Sequence, residues 1–481
     1  MDSGRSSGTL VPHSTTAKPE RRKRMSGAFG PRFFLLIVIG LVWLGAAFQD
    51  PRFYYALAAW DILVLVAWGV DLVGLPAPRT LSVTRRWSSA AALSVPSEVE
   101  LLLENSSRVP LFATVIDNIP ADLRAEAPQM ELRCSAKGEV AASYQITPRK
   151  RGSVELGAVY IRYRTPMGIA ERWAVARLEQ KICVYPNLEE ARQQSVYLIR
   201  SRQIEMEKRH THFRGGGREF ESLREYQEGD EFRDVCWTAS ARRGKLVTRL
   251  FQIERSQTIW LVIDAGRLMR ARIASRDSHG GMGVPGRPVE RSSTVSKLDV
   301  SVNAALSLAQ VALYTGDRVG LLAYGRQVQR RMPPYRGGAH LRQLIQQLAH
   351  IQEEPLEGDH LQAVSALLST QKRRSFIVWL TDFPETAMTP EVIDAASVAA
   401  SRHLVLLVVI GQPDLAKLAS SEPDSVSAMY RTTAAQETLH RREIMLAKLR
   451  QRGALAVEVS SASASVTVVN SYLEAKERNL L

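Results

Sequence analysis

Two apolar runs only four residues apart set the first limit on how this chain can fold. Phe33–Phe48 carries no charge, and Phe53–Leu75 carries only Asp61 and Asp71. The connector Gln49-Asp50-Pro51-Arg52 has room for a tight turn and nothing more, so the two runs lie antiparallel. With flanking residues each reaches the length a helix needs to cross a hydrocarbon layer of about 30 Å. The expected element is a two-helix transmembrane hairpin over residues 33–78. A cleaved signal peptide, cut near Gly45-Ala46-Ala47, is the rival reading, and the second apolar run speaks against it.

Charge orients this hairpin. Arg21-Arg22-Lys23-Arg24 precedes it, and Arg79, Arg85 and Arg86 follow it. Positive residues stay on the cytoplasmic side, which predicts a two-pass protein of the inner membrane with both termini in the cytoplasm. The net charge of +14 suits an anionic lipid surface and accounts for much of the basic excess without nucleic acid. Residues 1–32, polar and basic, read as a disordered tail. Asp61 falls inside the second span, where a carboxyl group is costly and needs a partner, either the first helix or another subunit. Asp71 stands near the cytoplasmic end and is expected to reach the interface. Three scattered cysteines, Cys134, Cys183 and Cys236, form no disulfide framework and fit a reducing compartment.

From residue 79 to 187 the pattern changes to short alternating runs broken by Gly, Pro, Asn and Ser. Val99–Leu103, Phe112–Asp117 and Val154–Tyr160 are examples, and they predict a β-sandwich domain. Residues 188–214 read as a helical linker, and Gly215-Gly216-Gly217 as a hinge after it. Residues 258–481 alternate apolar strands with helices, the pattern of a mainly parallel sheet covered on both faces. Strands are expected at Thr258–Ile263, Arg318–Tyr324, Ser375–Leu380, His403–Ile410 and Leu455–Val459. Helices are expected at Leu298–Tyr314, Leu341–Leu348, Leu361–Leu368, Pro390–Ser401 and Thr438–Arg452. An insert over 270–296, rich in Gly, Arg and Ser, reads as a mobile loop at the rim of the strand ends.

Between linker and sheet, residues 215–257 are densely charged yet carry spaced apolar residues, Phe220, Leu223, Tyr226, Phe232, Val235 and Trp237. Glu219-Phe220, Leu223-Arg224, Tyr226, Gly229-Asp230, Arg233, Trp237 and Ser240-Ala241-Arg242 resemble the signature of the domain of unknown function 58 family. The Asp that usually precedes the Trp is Cys236 here. The turns Arg149-Lys150-Arg151-Gly152 and Thr165-Pro166-Met167-Gly168 look like further family features, with Thr165 where an Asp is usual. Acids interleave with the arginines throughout the signature, which disfavours a phosphate-binding surface and suggests an ion-pair network instead.

The C-terminal domain resembles a von Willebrand factor A domain through Leu261-Val262-Ile263-Asp264, Gly316–Gly320 and Trp379-Leu380-Thr381-Asp382. The resemblance implies a cation site at the carboxyl ends of the strands, where such sheets bind ligands. Of that pattern Asp264 and Asp382 are present as weak candidate ligands for Mg²⁺ or Mn²⁺. Both hydroxyl positions of the first loop are lost, as Gly266 and Leu268. Asp359 stands on the second loop in place of a clear Thr. Arg267 is expected to pair with Asp264 and replace the metal, leaving a degenerate site and no cofactor. Asp264, Gly266, Arg267, Asp359 and Asp382 are therefore the candidate binding residues.

The motifs that suggest catalysis lack context. Gly4-Arg5-Ser6-Ser7-Gly8 lies in the tail, Gly281–Gly286 in the insert without a preceding strand, and His210-Thr211-His212 lacks a third ligand. The expectation is a membrane-anchored scaffold, not an enzyme, that docks a protein. The family resemblance implies a MoxR-type AAA+ ATPase as that partner. The alternative is a metal-dependent hydrolase or ligand-binding domain using Asp264, Asp359 and Asp382.

Overall fold

The computed structural model describes residues 12, 14–21, 27–48, 50–187, 219–227, 232, 235–252, 256–274, 294–382, 390–478 and 480. The helical linker, the three-glycine hinge, His210, His212, the Gly4–Gly8 and Gly281–Gly286 motifs and most of the insert lie outside those residues. The chain forms two compact units, residues 1–187 in the first, and residues 188–347 with 351–481 in the second; Leu348–His350 are grouped with the first.

The tail is not wholly disordered: Thr15–Ala17 pairs with Leu81–Trp87, while Glu20–Arg21 and Gly27–Phe29 pair with Ala170–Ala176. An open sheet edge accepts any backbone with free N–H and C=O groups, so these strands need no apolar pattern that a sequence reading could detect. Two antiparallel sheets result, one of four strands and one of six, and their inward residues form a single core that includes Leu101, Val115, Ile161 and Tyr163. The run Val154–Tyr160 is two strands, not one. It breaks at Gly157, whose N–H turns to the Asn118 carbonyl.

Two helices follow the tail, α1 over Pro31–Ala47 and α2 over Phe53–Gly74. Pro31 opens α1 at a position where its missing N–H is not required. The helices pack together through Trp60, whose indole donates to the Leu36 carbonyl at 2.9 Å and whose ring fills the space a side chain at Gly40 would need. Phe33, Val64 and Ile169 form a small cluster at the base. The outward faces stay apolar: Val42 is 72% and Val73 86% exposed. By length and composition α2 can cross a membrane, and α1 is a shorter apolar helix.

Asp71 stands three residues before the end of α2. It is buried, and its carboxylate accepts from Thr165 Oγ1 at 2.6 Å and from the N–H groups of Ile169 and Ala170 at 3.0 and 2.8 Å. Arg172 donates to the carbonyls of Leu72, Leu75 and Pro76, which the end of α2 leaves without helical partners. The end of the hairpin is thus bonded to the 165–172 turn and strand.

In the second unit, Thr258–Asp264 lies between the parallel strands Arg318–Tyr324 and Phe376–Thr381. Leu404–Ile410 and Leu455–Val459 continue the parallel sheet. Val328–Tyr335, which the apolar pattern does not reveal, adds an antiparallel edge. Counted along the chain, the order is 3-2-1-4-5-6, the doubly wound arrangement with a crevice where the order reverses beside the first strand. The central strands are buried from Ile259 to Asp264 and from Phe376 to Thr381, which is why they read as continuous apolar runs. The long helix runs over Val426–Gln451 and so starts twelve residues before the expected Thr438. The insert is not loop from its first residue: Arg267–Arg270 is a 3₁₀ turn, and Arg272–Ala274 pairs with Thr294–Ser296.

Candidate functional site

The carboxyl ends of the first and fourth strands deliver Asp264 and Asp382 to one crevice. Asp264, Gly266, Arg267, Gly358, His360 and Asp382 line a small cavity there of about 40 Å³, with Leu268, Glu357 and Glu391 at its rim. Asp264 Oδ1 accepts from the Gly266 N–H at 2.8 Å, and Oδ2 accepts from Thr381 Oγ1 at 2.7 Å. Burial pushes the Asp264 carboxyl above its ordinary pKa; His360, Thr381 and the Gly266 N–H oppose the shift.

Asp382 meets two cations. Lys297 Nζ lies 2.5 Å from Oδ2, and Arg442 Nη2 lies 2.8 Å from Oδ1. Arg442 also holds Glu458 at 3.0 Å. Lys297 and Arg442 are 0% and 5% exposed, so neither pair is a solvent-screened surface contact. Lys297 occupies the first turn of the helix Lys297–Tyr314, which Ser296 and Asp299 start with a reciprocal capping box. Burial lowers the lysine pKa, and the adjacent Asp382 is the main force that opposes the shift and holds the charge there.

This arrangement corrects the expected role of Arg267. Its guanidinium reaches Glu357 at 2.8 Å on the exposed rim, and the buried ammonium at the site belongs to Lys297. The reason is geometric: the Arg267 N–H bonds the Leu356 carbonyl, which sets the residue on the outer side of the second loop. Asp359 also differs from expectation. It is the N-cap of His360–Thr370, accepting from the Gln362 N–H at 2.8 Å, and it does not line the cavity. Its neighbour His360 does, with Nδ1 at 2.8 Å from the Tyr324 hydroxyl, which in turn accepts from the Trp379 indole.

The donor set does not fit a hexacoordinate divalent ion. Each oxygen of Asp264 and of Asp382 already accepts a hydrogen bond. The lost hydroxyl position is closed as well as empty of oxygen: a side chain at Gly266 would begin 2.6 Å from the Gly358 nitrogen, and one at Gly358 2.7 Å from Asp264 Oδ1. Mg²⁺ needs near-octahedral oxygen ligands, and this crevice offers backbone and ammonium groups where those oxygens would stand.

The signature residues form a separate motif. Glu219–Glu225, which holds Glu219, Phe220, Leu223 and Arg224, pairs with Val247–Gln252, with a bulge after Phe220. Ser240 is the buried clip of this motif. Its hydroxyl donates to the Cys236 carbonyl and accepts from the Val247 N–H, both at 2.9 Å. Gly244, at φ 64°, ends the short helix Trp237–Arg243 in the left-handed conformation that favours glycine. The Tyr226 and Phe232 rings meet at a tilt of 32°, with centroids 5.7 Å apart. Trp237 is not a core anchor: it is 64% exposed, and Arg242 is exposed beside it. Gly229, Asp230 and Arg233 lie outside the described residues, as do several acids of the expected ion-pair network; Lys245 pairs with Glu225 across the hairpin.

Lys297 and Arg442 are the site residues that sequence reasoning missed. The signal for Lys297 was Ser296-Lys297-Leu298-Asp299, a capping box with a cation in the turn where acids are favoured. For Arg442, in the middle of a long polar helix, no local signal exists.

Residues 222–278 and 284–454 match the family model described as "Protein of unknown function DUF58". An uncharacterized protein of Mycobacterium tuberculosis is 27% identical over 203 residues, which are 41% of this chain and 56% of that relative. The chain thus spans little more than half the length of this relative. Among solved structures, the conserved hypothetical protein BatB from Bacteroides thetaiotaomicron is 13% identical and covers 46% of this chain and 100% of its own, with a TM-score of 0.29. The SpRpn10 VWA domain is 13% identical over 45% of this chain and 95% of its own, with a TM-score of 0.26. Those scores are low, so the architecture stands on the strand order given above. The matched residues take in most of the signature and most of the α/β sheet, so the C-terminal half of this chain is similar to the DUF58 family.

Proposed function

We propose that this protein is a two-pass inner-membrane scaffold whose cytoplasmic C-terminal domain docks a protein through the carboxyl ends of its strands. The observation that carries the reading is the contact of Lys297 and Arg442 with Asp382. A buried ammonium and a guanidinium neutralise Asp382, one of the two carboxylates that would ligate an ion. The crevice is then held together without a divalent cation, and its polar rim, Arg267 and Glu357, is left to face a partner. No cofactor is needed for docking of this kind. The metal-dependent alternative loses Asp359 to a helix cap.

The membrane reading draws on the hairpin. At 1.5 Å per residue α1 spans about 26 Å and α2 about 33 Å. The strand before α1 and the strand after α2 belong to the same unit, which supports an even number of crossings with both ends on one side. The family resemblance implies a MoxR-type AAA+ ATPase as the partner. Interleaved acids in the signature argue against nucleic acid.

The test is purification of the full chain from mild-detergent membranes with ATP present. A stoichiometric ATPase, lost when Arg267 and Glu357 are both changed to Ala, is the expected result. A chain that co-purifies with nothing overturns the docking reading. Protease applied outside intact cells is expected to leave the C-terminal domain whole; its digestion overturns the topology.

A further inference from the structure

Trp60 of α2 faces α1, donating to the Leu36 carbonyl and covering Gly40. One residue further on, a helix has turned by about 100°. Asp61 therefore leaves the α1 contact and sits on the flank of the hairpin. It is half-buried and has no hydrogen-bond partner among the described residues. Ala58, Leu65 and Gly69 share this side of α2, at helical spacings of three, four and eight residues from Asp61. Leu65 is 51% exposed, and nothing lies within 4 Å of where a side chain at Gly69 would begin.

In lipid such a carboxyl group is costly unless a polar group meets it, and neither lipid chains nor α1 supplies one. We infer that a second copy of this chain does. Two hairpins pack flank to flank, and Ala58 and Gly69 let the backbones approach. The Asp61 carboxyl groups then hydrogen-bond to each other. A two-fold axis brings the same residue of both copies together, so one carboxyl per chain is enough. This inference rests on the membrane reading of the hairpin.

The experiment uses the full chain in native membranes with Leu65→Cys, oxidised to a disulfide, beside the parent chain as background for its three native cysteines. A cross-linked dimer above that background is expected. Adding Asp61→Leu is expected to weaken the pairing by roughly five- to thirtyfold. Asp61→Asn, which keeps hydrogen-bonding groups, is expected to restore most of it. No dimer above background, or equal yield with Asp61→Leu, overturns the pairing. Alkaline carbonate washing of the same membranes separates the two failures. A chain washed off sinks the hairpin reading itself, whereas a chain retained but not cross-linked sinks only the pairing.

Discussion

Lys297 Nζ lies 2.5 Å from Asp382 Oδ2, and both side chains are withdrawn from solvent. The two residues come from the helix that follows the insert and from the end of the fourth strand of the sheet, so this contact ties the crevice shut from two sides. Removing Lys297 takes one of two counter-charges from the buried Asp382 and leaves Arg442 as the other. Lys297→Met is therefore expected to cost about 3–5 kcal/mol. Hydrogen exchange in Phe376–Thr381 and denaturant unfolding of the full chain in detergent measure it. An unchanged midpoint would show that Arg442 alone suffices for Asp382.

The same contact predicts the response to metals. Millimolar Mg²⁺ or Mn²⁺ is expected to leave the thermal unfolding of the protein where it is, since ammonium, guanidinium, hydroxyl and N–H donors already serve Asp264 and Asp382. A rise in melting temperature that Asp264→Ala abolishes would establish an ion at the crevice and overturn the reading.

Restoring the missing hydroxyl is expected to fail. In Gly266→Ser the new Cβ would start 2.6 Å from the Gly358 nitrogen, so the second loop must move. Overpacking of this kind costs about 1–3 kcal/mol. The expected variant is less stable and gains no Mg²⁺-dependent thermal shift. Wild-type stability together with a new shift would mean that the loop yields easily.

Asp71 offers a local test in the first unit. Asp71→Ala leaves the N–H groups of Ile169 and Ala170 without their acceptor, a loss of about 1–3 kcal/mol for each donor that stays buried. Faster hydrogen exchange at those two amides, with little change in Leu111–Asp117, is the expected pattern. Uniform loss of protection across the sandwich would instead make Asp71 part of the global core.

Cys236 should react as a thiolate near neutral pH. The Thr238 hydroxyl first, then the Ala239 N–H and Arg249, bring its pKa down from 9.0 to about 7, while burial raises those of Cys134 and Cys183. Iodoacetamide labelling of the folded chain is expected to rise through a midpoint near pH 7 at Cys236 and to stay slow at the other two. Because folding lowers this pKa, the group adds stability that is fully present above pH 9 and fades as the pH falls through 7. A labelling midpoint at the ordinary thiol value would refute the hydrogen-bonded thiolate.

What the sequence determined by itself was the kind and order of the elements. Continuous apolar runs such as Thr258–Asp264 and Arg318–Tyr324 announce buried parallel strands, and an apolar pair with a four-residue connector announces a hairpin. These are properties of neighbouring residues, and periodicity records them. The tail strands escaped because edge pairing uses backbone groups that every sequence has. The chemistry of the crevice was decided by tertiary structure alone. Asp382 takes its cations from 85 residues before it and 60 residues after it. Gly266 is closed by Gly358, ninety-odd positions away on another loop. Arg267, beside Asp264 in the chain, turns instead to Glu357. Which charge meets which carboxylate depends on where packing brings helices and loops together, and that distance is not written in the spacing of residues along the chain.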